Sequence, residues 1–199
     1  MSRGETARLF VAVDPPSYVR EELLAWARGV GVARRPAPRE RSRLALRLLD
    51  ADSLHLTLCF LGSRPVEEMD VLADALCAVS PQVCELQVGA PVWLPPRRPR
   101  ALAVEIHDHA GRLEHLREGV GEALRQVSGW EPERRRFRPH ITLARMRAVA
   151  GEPAGALTLT ATPQLSFTAR AIVLYRSWLA PEGASYEAIA TSKPTPAEA

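Results

Sequence analysis

Two spacings of apolar residues alternate along the chain, one typical of strands and one typical of helices. Several segments alternate apolar and polar residues with the period of two expected of half-buried strands. These segments are "ARLFVAVD", "LALRLL", "LHLTLCFLG", "CELQVGA", "ALAVEIH", "FRPHITLARM", "QLSFTARAIVLYRSWL" and "SYEAIA". The last two flank "APEGA", which favours a hairpin turn. The pattern therefore predicts strands along the whole chain.

Three other segments have apolar residues at the spacing of an amphipathic helix. The first follows Asp14-Pro15-Pro16, residues suited to a helix start, and its stripe consists of Val19, Leu23, Trp26, Ala27 and Val30. The second is predicted from Pro65 to Val79. The third carries Leu113, Leu116, Val120, Ala123, Leu124 and Val127, and it also contains Gly119 and Gly121, each costing about 1 kcal/mol.

The loops and the end of the chain are marked by proline and arginine. "RRPAPRERSR" at 34–43 is predicted to be an exposed basic loop, and "PVWLPPRRPR" at 91–100 a proline-rich one. Residues 34–43 and 97–100 are candidates for a rim that binds phosphates. We expect one two-lobed domain over 1–190 and a disordered tail over 191–199.

Composition describes an ordinary globular protein, with 46% hydrophobic and 25% charged residues among 199. The net charge is +3, and because only Lys193 of the 26 basic residues is a lysine, the arginine content reflects a general bias rather than a site. Cys59, Cys77 and Cys84 have no spacing typical of disulfide frameworks or zinc sites. "LFVAV" is too short for a signal segment or membrane span, so we expect a cytoplasmic protein.

One short motif occurs twice. "HLTL" at 55–58 is matched by "HITL" at 140–143, and 140 − 55 is 85 residues. A single His-x-Thr is more often a solvated strand face, but here each copy follows a strand and an amphipathic helix. Because side chains two apart share a strand face, His55 lies beside Thr57 and His140 beside Thr142. Halves related by a pseudo-twofold axis would bring all four into one pocket.

Two histidines and two hydroxyls suit displacement at phosphorus. One imidazole removes a proton from the attacking oxygen and the other gives one to the leaving oxygen. The threonine hydroxyls can hydrogen-bond the nonbridging oxygens. This chemistry requires neither a metal nor a cofactor.

The chain resembles the two-histidine phosphoesterase superfamily, in particular its RNA 2′,3′-cyclic phosphodiesterase branch, also described as 2′-5′ RNA ligases. The segments that carry the resemblance are "RLFVAVDPP", "SLHLTLCFLG", "RPRALAVEI", "RFRPHITLAR" and "LYRSWLAPEGASYEAIA". The resemblance identifies His55 with Thr57 and His140 with Thr142 as the catalytic motifs. It also implies an α+β fold of two pseudo-symmetric lobes, with antiparallel sheets flanking a central groove and helices outside.

The activity implied by the resemblance is hydrolysis of an RNA terminal 2′,3′-cyclic phosphate to a 2′-phosphomonoester. The substrate would be an RNA 3′ end, and the reverse reaction would be 2′-5′ ligation. The symmetric pair leaves open which histidine is the acid. We expect a monomer without an obligate protein partner.

Other readings remain. The same chemistry could act on a small cyclic phosphate or a 2′-5′ oligonucleotide; the chain could instead be a non-catalytic RNA-end-binding module, or, less favoured, a metal-dependent hydrolase. An assay in EDTA separates these classes.

Two arginines are candidates for binding substrate phosphate. Arg138 shares the face of His140 by alternation, whereas Arg145 falls on the opposite face by the same count but matches the arginine that closes the family motif "HITLAR". Cys59 falls on the face of His55 and is expected to be a buried thiol.

The remaining histidines and aromatics have ordinary interpretations. His107, His109 and His115 lack a further ligand at a suitable spacing, so a metal site is not favoured. Tyr175 and Trp178 are expected to pack in the core rather than to stack on a base.

Overall fold

The computed structural model describes residues 5–32, 45–97, 99–133, 135–147, 159–180 and 183–194. The predicted basic loop at 34–43 lies outside these residues. None of the helices found in them is long and apolar enough to cross a membrane.

The described elements follow one another as strands broken by three α-helices. The strands are β1 (Thr6–Val13), β2 (Ala45–Leu48), β3 (Leu56–Pro65), β4 (Cys84–Leu94), β5 (Ala101–His107), β6 (His140–Arg147), β7 (Ser166–Ala169), β8 (Ile172–Ala180) and β9 (Gly183–Ser192). The helices are α1 (Ser17–Val32), α2 (Met69–Ala78) and α3 (Arg112–Ser128), with short 3₁₀ turns at Ala51–Ser53 and Val66–Glu68. The predicted α+β class is confirmed.

The strand order of the sheet is symmetric about its centre. It runs β7-β4-β5-β6-β3-β1-β8-β9, with β2 beside β6, and all its described pairs are antiparallel. The β5–α3–β6 unit is thus a counterpart of β1–α1–β3. At the seam, Leu56 pairs with Ile141, and these residues directly follow His55 and His140. A pseudo-twofold axis therefore passes through this pair, and the two lobes join edge to edge.

The helices of the two repeated units cross over the seam. α1 contacts β2 and β6, whereas α3 contacts β3, so each packs against the motif strand of the other unit. α2 packs on β9 and α3. Leu23 of α1 and Leu124 of α3 are fully buried, as are Leu56 and Ile141. The core thereby fixes both motif strands from behind.

Each motif strand contains a β-bulge at the same place. Along β3, Cys59 pairs with Val11 and Thr57 with Ala12, which leaves Leu58 as an extra residue. Along β6, Ala144 pairs with Leu102 and Thr142 with Ala103, which leaves Leu143 extra. A bulge interrupts the alternation of side chains and redirects those that follow it. Simple counting along the sequence consequently fails beyond each threonine.

Several predicted boundaries were wrong. β3 begins at Leu56 rather than Leu54, and α2 begins at Met69, after the end of β3 at Pro65 and a 3₁₀ turn. β4 continues through Pro91–Leu94, which was predicted to be loop, because the register shift between Val88 and Pro91 accommodates the proline.

The late strands also differ from the prediction in part. "QLSFTARAIVLYRSWL" forms two strands, with β7 beside β4 and β8 beside β1, on opposite halves of the sheet. The hairpin between β8 and β9 is confirmed. The disordered tail was predicted to begin at residue 191, but β9 runs to Ser192. Ser192 is 5% exposed and donates a hydrogen bond from Oγ to Val79 O (2.5 Å).

Candidate active site

The four motif side chains meet at the seam between the lobes. Extending the Leu56–Ile141 register by one residue places His55 opposite Thr142 and Thr57 opposite His140. Residues directly opposite in an antiparallel pair project from the same face. His55, Thr57, His140 and Thr142 accordingly line one groove of about 790 Å³.

Both histidine rings are oriented by the same backbone contact. His55 Nδ1 lies 2.9 Å from Ser53 O, and His140 Nδ1 lies 2.7 Å from Arg138 O. A carbonyl oxygen only accepts hydrogen bonds, so Nδ1 carries the proton in each ring. Nε2 is then the nitrogen that exchanges a proton with a bound molecule, in both motifs.

His55 sits among aromatic rings. Its ring centroid lies 4.7 Å from Phe10 and 5.1 Å from Tyr186, which meets it edge-on, and 6.3 Å from Tyr175. Burial lowers the pKa of His55 to about 4, and the nearby positive charge of Arg145 adds to this, while the bond to Ser53 opposes it. His55 is therefore neutral at pH 7.

The carboxyl group of Asp14 holds one of the aromatic rings near His55 in place. The Tyr175 hydroxyl donates to Asp14 Oδ2 (2.6 Å), and the Tyr175 ring stacks on Phe10 at 5.2 Å. Burial raises the pKa of Asp14. Tyr175 packs beside His55, whereas Trp178 is exposed, with the Arg176 guanidinium 4.8 Å above its ring.

Arginines dominate the charge of the groove. In the described part of the chain, six arginines line it against one carboxylate, that of Glu133; the arginines are Arg100, Arg117, Arg135, Arg136, Arg138 and Arg145. Both candidate arginines are thus at the groove, as predicted for Arg138. The expectation from alternation that Arg145 faces away is wrong, because the bulge at Leu143 turns the strand.

The matching bulge in β3 has a similar effect. Phe60, which alternation along "LHLTLCFLG" puts on the face opposite to His55, is 37% exposed and lines the groove. Phe60 occupies the position in β3 that Arg145 has in β6, five residues after the histidine. Cys59 borders the groove but is 3% exposed, with Sγ 3.8 Å from Arg117 O, and burial raises the pKa of its thiol to about 12. Cys59 is a neutral buried thiol, as expected.

Tyr186 is a groove residue that the sequence analysis did not single out. It lies in β9, far in sequence from either motif, and reaches His55 only because β9 is brought near by β8 and β1. Its position in the segment "LYRSWLAPEGASYEAIA" was the available signal.

The other histidines have contacts of their own. The His107 and His109 rings lie 6.2 Å apart, His109 Nε2 is 3.1 Å from Gln87 Oε1, and His115 Nδ1 is 2.8 Å from Gly111 O. Among the residues described, no group of three or more His, Cys, Asp and Glu side chains is arranged to hold a metal ion.

Known proteins share both the sequence pattern and the fold. RNA 2′,3′-cyclic phosphodiesterase of Thermus thermophilus is 31% identical over 90% of this chain and 86% of its own length. The enzyme of the same name from Aeropyrum pernix is 27% identical over 55% of this chain, and the chain spans 62% of that relative. The crystal structure of Escherichia coli LigT complexed with 3′-AMP has a TM-score of 0.73 at 26% identity, covering 96% of this chain and 99% of LigT.

The family assignment rests on a longer match than any single motif. The sequence model of the 2′-5′ RNA ligase superfamily matches residues 25–178, which include both His-x-Thr motifs and the helices and strands between them. The chain belongs to the 2′-5′ RNA ligase superfamily.

Proposed function

We propose that this protein hydrolyses the terminal 2′,3′-cyclic phosphate of RNA to a 2′-phosphomonoester. The observation that carries the proposal is the Leu56–Ile141 pair, since it sets two histidines and two threonines around one groove. The groove is rich in arginine, which suits an anionic substrate. The relatives named RNA 2′,3′-cyclic phosphodiesterase support the same activity.

The reaction needs one proton removed and one supplied. A water oxygen bonds to phosphorus while the bond from phosphorus to the 3′-oxygen breaks. One histidine takes the proton of the water at Nε2, and the other donates its Nε2 proton to the departing 3′-oxygen. The hydroxyls of Thr57 and Thr142 donate hydrogen bonds to the nonbridging oxygens. Ligation is the same displacement with an RNA 5′-hydroxyl in place of water, so that the 5′-oxygen bonds to phosphorus while the bond to the 3′-oxygen breaks.

The unequal surroundings of the histidines favour different roles. His55 is neutral in the free protein because burial lowers its pKa to about 4, and a base must begin neutral. We therefore assign the base to His55 and the acid to His140, which lies at the more exposed end of the site.

The groove offers further contacts to an RNA end. Arg138 and Arg145 line the groove and would pair with phosphate oxygens, and Phe60 has a ring on which a base would stack. One side of that ring carries the Arg8 guanidinium at 4.9 Å. We expect the protein to act as a cytoplasmic monomer, with residues 1–190 forming a single two-lobed domain.

The decisive test is turnover of a short RNA ending in a 2′,3′-cyclic phosphate, assayed in EDTA. A 2′-phosphate product supports the proposal. Absence of turnover, or turnover restored only by added metal, contradicts it. Turnover of 2′,3′-cyclic mononucleotides or 2′-5′ oligonucleotides without turnover of the RNA end assigns the same chemistry to the smaller substrates.

The pH dependence of kcat/KM tests whether His55 takes part in proton transfer. The active enzyme carries one proton on its two imidazoles, so the rate falls on the acid side only as pH approaches about 4, where His55 also gains a proton. A profile without this acid limb would contradict a role of His55 in proton transfer.

A further inference from the structure

A second cavity, of about 330 Å³, opens beside His140. It shares His140 and Arg138 with the main groove, so a chain bound in the groove can continue into it. Residues 91–94 at the end of β4 form an apolar wall that includes Trp93. We call this cavity the side pocket. Its volume is at the lower end of the range for small-molecule sites and suffices for one nucleobase.

The side pocket contains a carboxylate that the proposed reaction does not use. Glu105 of β5 lies directly opposite His140 in the sheet and is half-buried. The described part of the chain provides its carboxylate with no hydrogen bond or ion pair. A carboxylate only accepts hydrogen bonds and repels phosphate. Among the groups of an RNA chain, Glu105 therefore disfavours a phosphate and favours a base that presents N–H donors.

Arg138 marks where a phosphate would lie at the mouth of the side pocket. It is exposed and lines both cavities, so its guanidinium is within reach of a phosphodiester that passes from one to the other. An RNA whose terminal cyclic phosphate lies between the histidines has such a phosphodiester at the 5′ side of its last nucleotide. The group beyond that phosphodiester is the penultimate nucleoside.

Guanine fits the donor requirement better than the other bases. Its N1–H and N2–H₂ groups are adjacent and parallel, and they match the two oxygens of a carboxylate. Uracil presents one N–H between two carbonyl oxygens, which a carboxylate repels. We propose, on the basis of the function proposed above, that the side pocket binds the penultimate base of the RNA and that Glu105 makes it prefer guanine.

The test compares dinucleotides that end in adenosine 2′,3′-cyclic phosphate and differ in the preceding base. For the unaltered protein we expect kcat/KM to be about tenfold higher with guanosine than with uridine at that position, the low end for a bidentate contact because the site is half open. Glu105→Gln should reduce this ratio towards one. Glu67→Gln, an exposed carboxylate before α2, is the control and should keep it. Because the ratio is internal to each variant, a loss of folded protein cancels.

Each outcome bears on a separate claim. A ratio near one in the unaltered protein, or one that persists in Glu105→Gln, overturns the side-pocket proposal while cyclic phosphate hydrolysis remains. A preference that instead follows the terminal base, tested with adenylyl dinucleotides ending in guanosine or uridine cyclic phosphate, also overturns it. Failure to hydrolyse every one of these dinucleotides contradicts the proposed function itself.

Discussion

The two motif strands share a backbone and differ in what surrounds it. At the start of β3 and of β6, a histidine is held by the carbonyl two residues earlier, a threonine follows two residues later, and a leucine forms a bulge. The position five residues after the histidine is Phe60 in one strand and Arg145 in the other. The histidine of β3 is enclosed by aromatic rings, whereas that of β6 borders the side pocket.

This difference shows how a symmetric frame supports an asymmetric reaction. The repeated backbone presents the same nitrogen, Nε2, from both sides of the groove. Neighbours that the repeat does not share then keep His55 neutral and give each side different contacts. Hydrolysis needs this inequality, because one imidazole must begin neutral and the other protonated.

Removing either imidazole should have the largest effect. We expect His55→Ala and His140→Ala each to lower kcat by roughly 10²- to 10⁴-fold, measured on an RNA cyclic phosphate end, since each removes one proton transfer. The kcat of the double variant should be only slightly below that of the less active single variant, because the two groups act as a unit. His115→Ala, which removes an exposed ring whose Nδ1 lies 2.8 Å from Gly111 O, is the matched control. A loss below tenfold in either single variant would contradict the shared role.

The enclosure of His55 should make stability depend on pH. Its folded pKa of about 4 lies below the ordinary value of 6.5, so protonation favours the unfolded chain. The stabilisation from the neutral ring is fully present above pH 6.5 and is lost as pH falls towards 4. Between pH 7 and 5 the free energy of unfolding should decrease by about 2 kcal/mol from this group.

Urea unfolding of the unaltered protein and of His55→Gln at both pH values measures that contribution. In His55→Gln, the decrease in the free energy of unfolding between pH 7 and 5 should be smaller by about 2 kcal/mol. His140→Gln serves as the comparison from the other motif strand, and an equal change in both variants would mean that the two surroundings do not differ in this respect.

Arg145, at the position in β6 that corresponds to Phe60 in β3, should contribute to substrate affinity. Arg145→Gln should raise KM about tenfold, the low end for an exposed charge-assisted contact to phosphate, and this loss should shrink at high salt. It should also shift the acid limb of kcat/KM upward, because the Arg145 charge lowers the pKa of His55. Arg170→Gln, an exposed arginine after β7, is the control. An unchanged KM at low salt would rule out the contact.

Replacing Phe60 should have the smallest effect on activity. Phe60→Leu keeps an apolar side chain but removes the ring, so KM for an RNA end should rise about fivefold, with kcat little changed. Val127→Ala, another exposed apolar site, should leave KM unaltered. A fall in kcat without a change in KM would indicate that Phe60 supports the histidine rather than the base.

The sequence alone was sufficient to predict the elements that have a regular period and the site marked by a repeated motif. β5 runs from Ala101 to His107, as alternation predicted, and α3 forms despite Gly119 and Gly121. The spacing of the two His-x-Thr motifs predicted that the histidines share a groove. These features depend on periodicity and on a motif, both of which are visible within one segment.

What sequence reasoning missed depends on neighbouring strands. A bulge exists only relative to its partner, so the groove positions of Phe60 and Arg145 could not be obtained by counting along β3 and β6. Pro91 lies in a strand because a register shift in the β4–β5 pair accommodates it. Tyr186 reaches His55 through two intervening strands, a long-range contact that no local pattern encodes.

The axis through Leu56 and Ile141 also shows what a single chain makes possible. Two identical halves about this axis would present identical side chains to both ends of a substrate. Because both halves belong to one chain, corresponding positions can hold different residues, as Phe60 and Arg145 do.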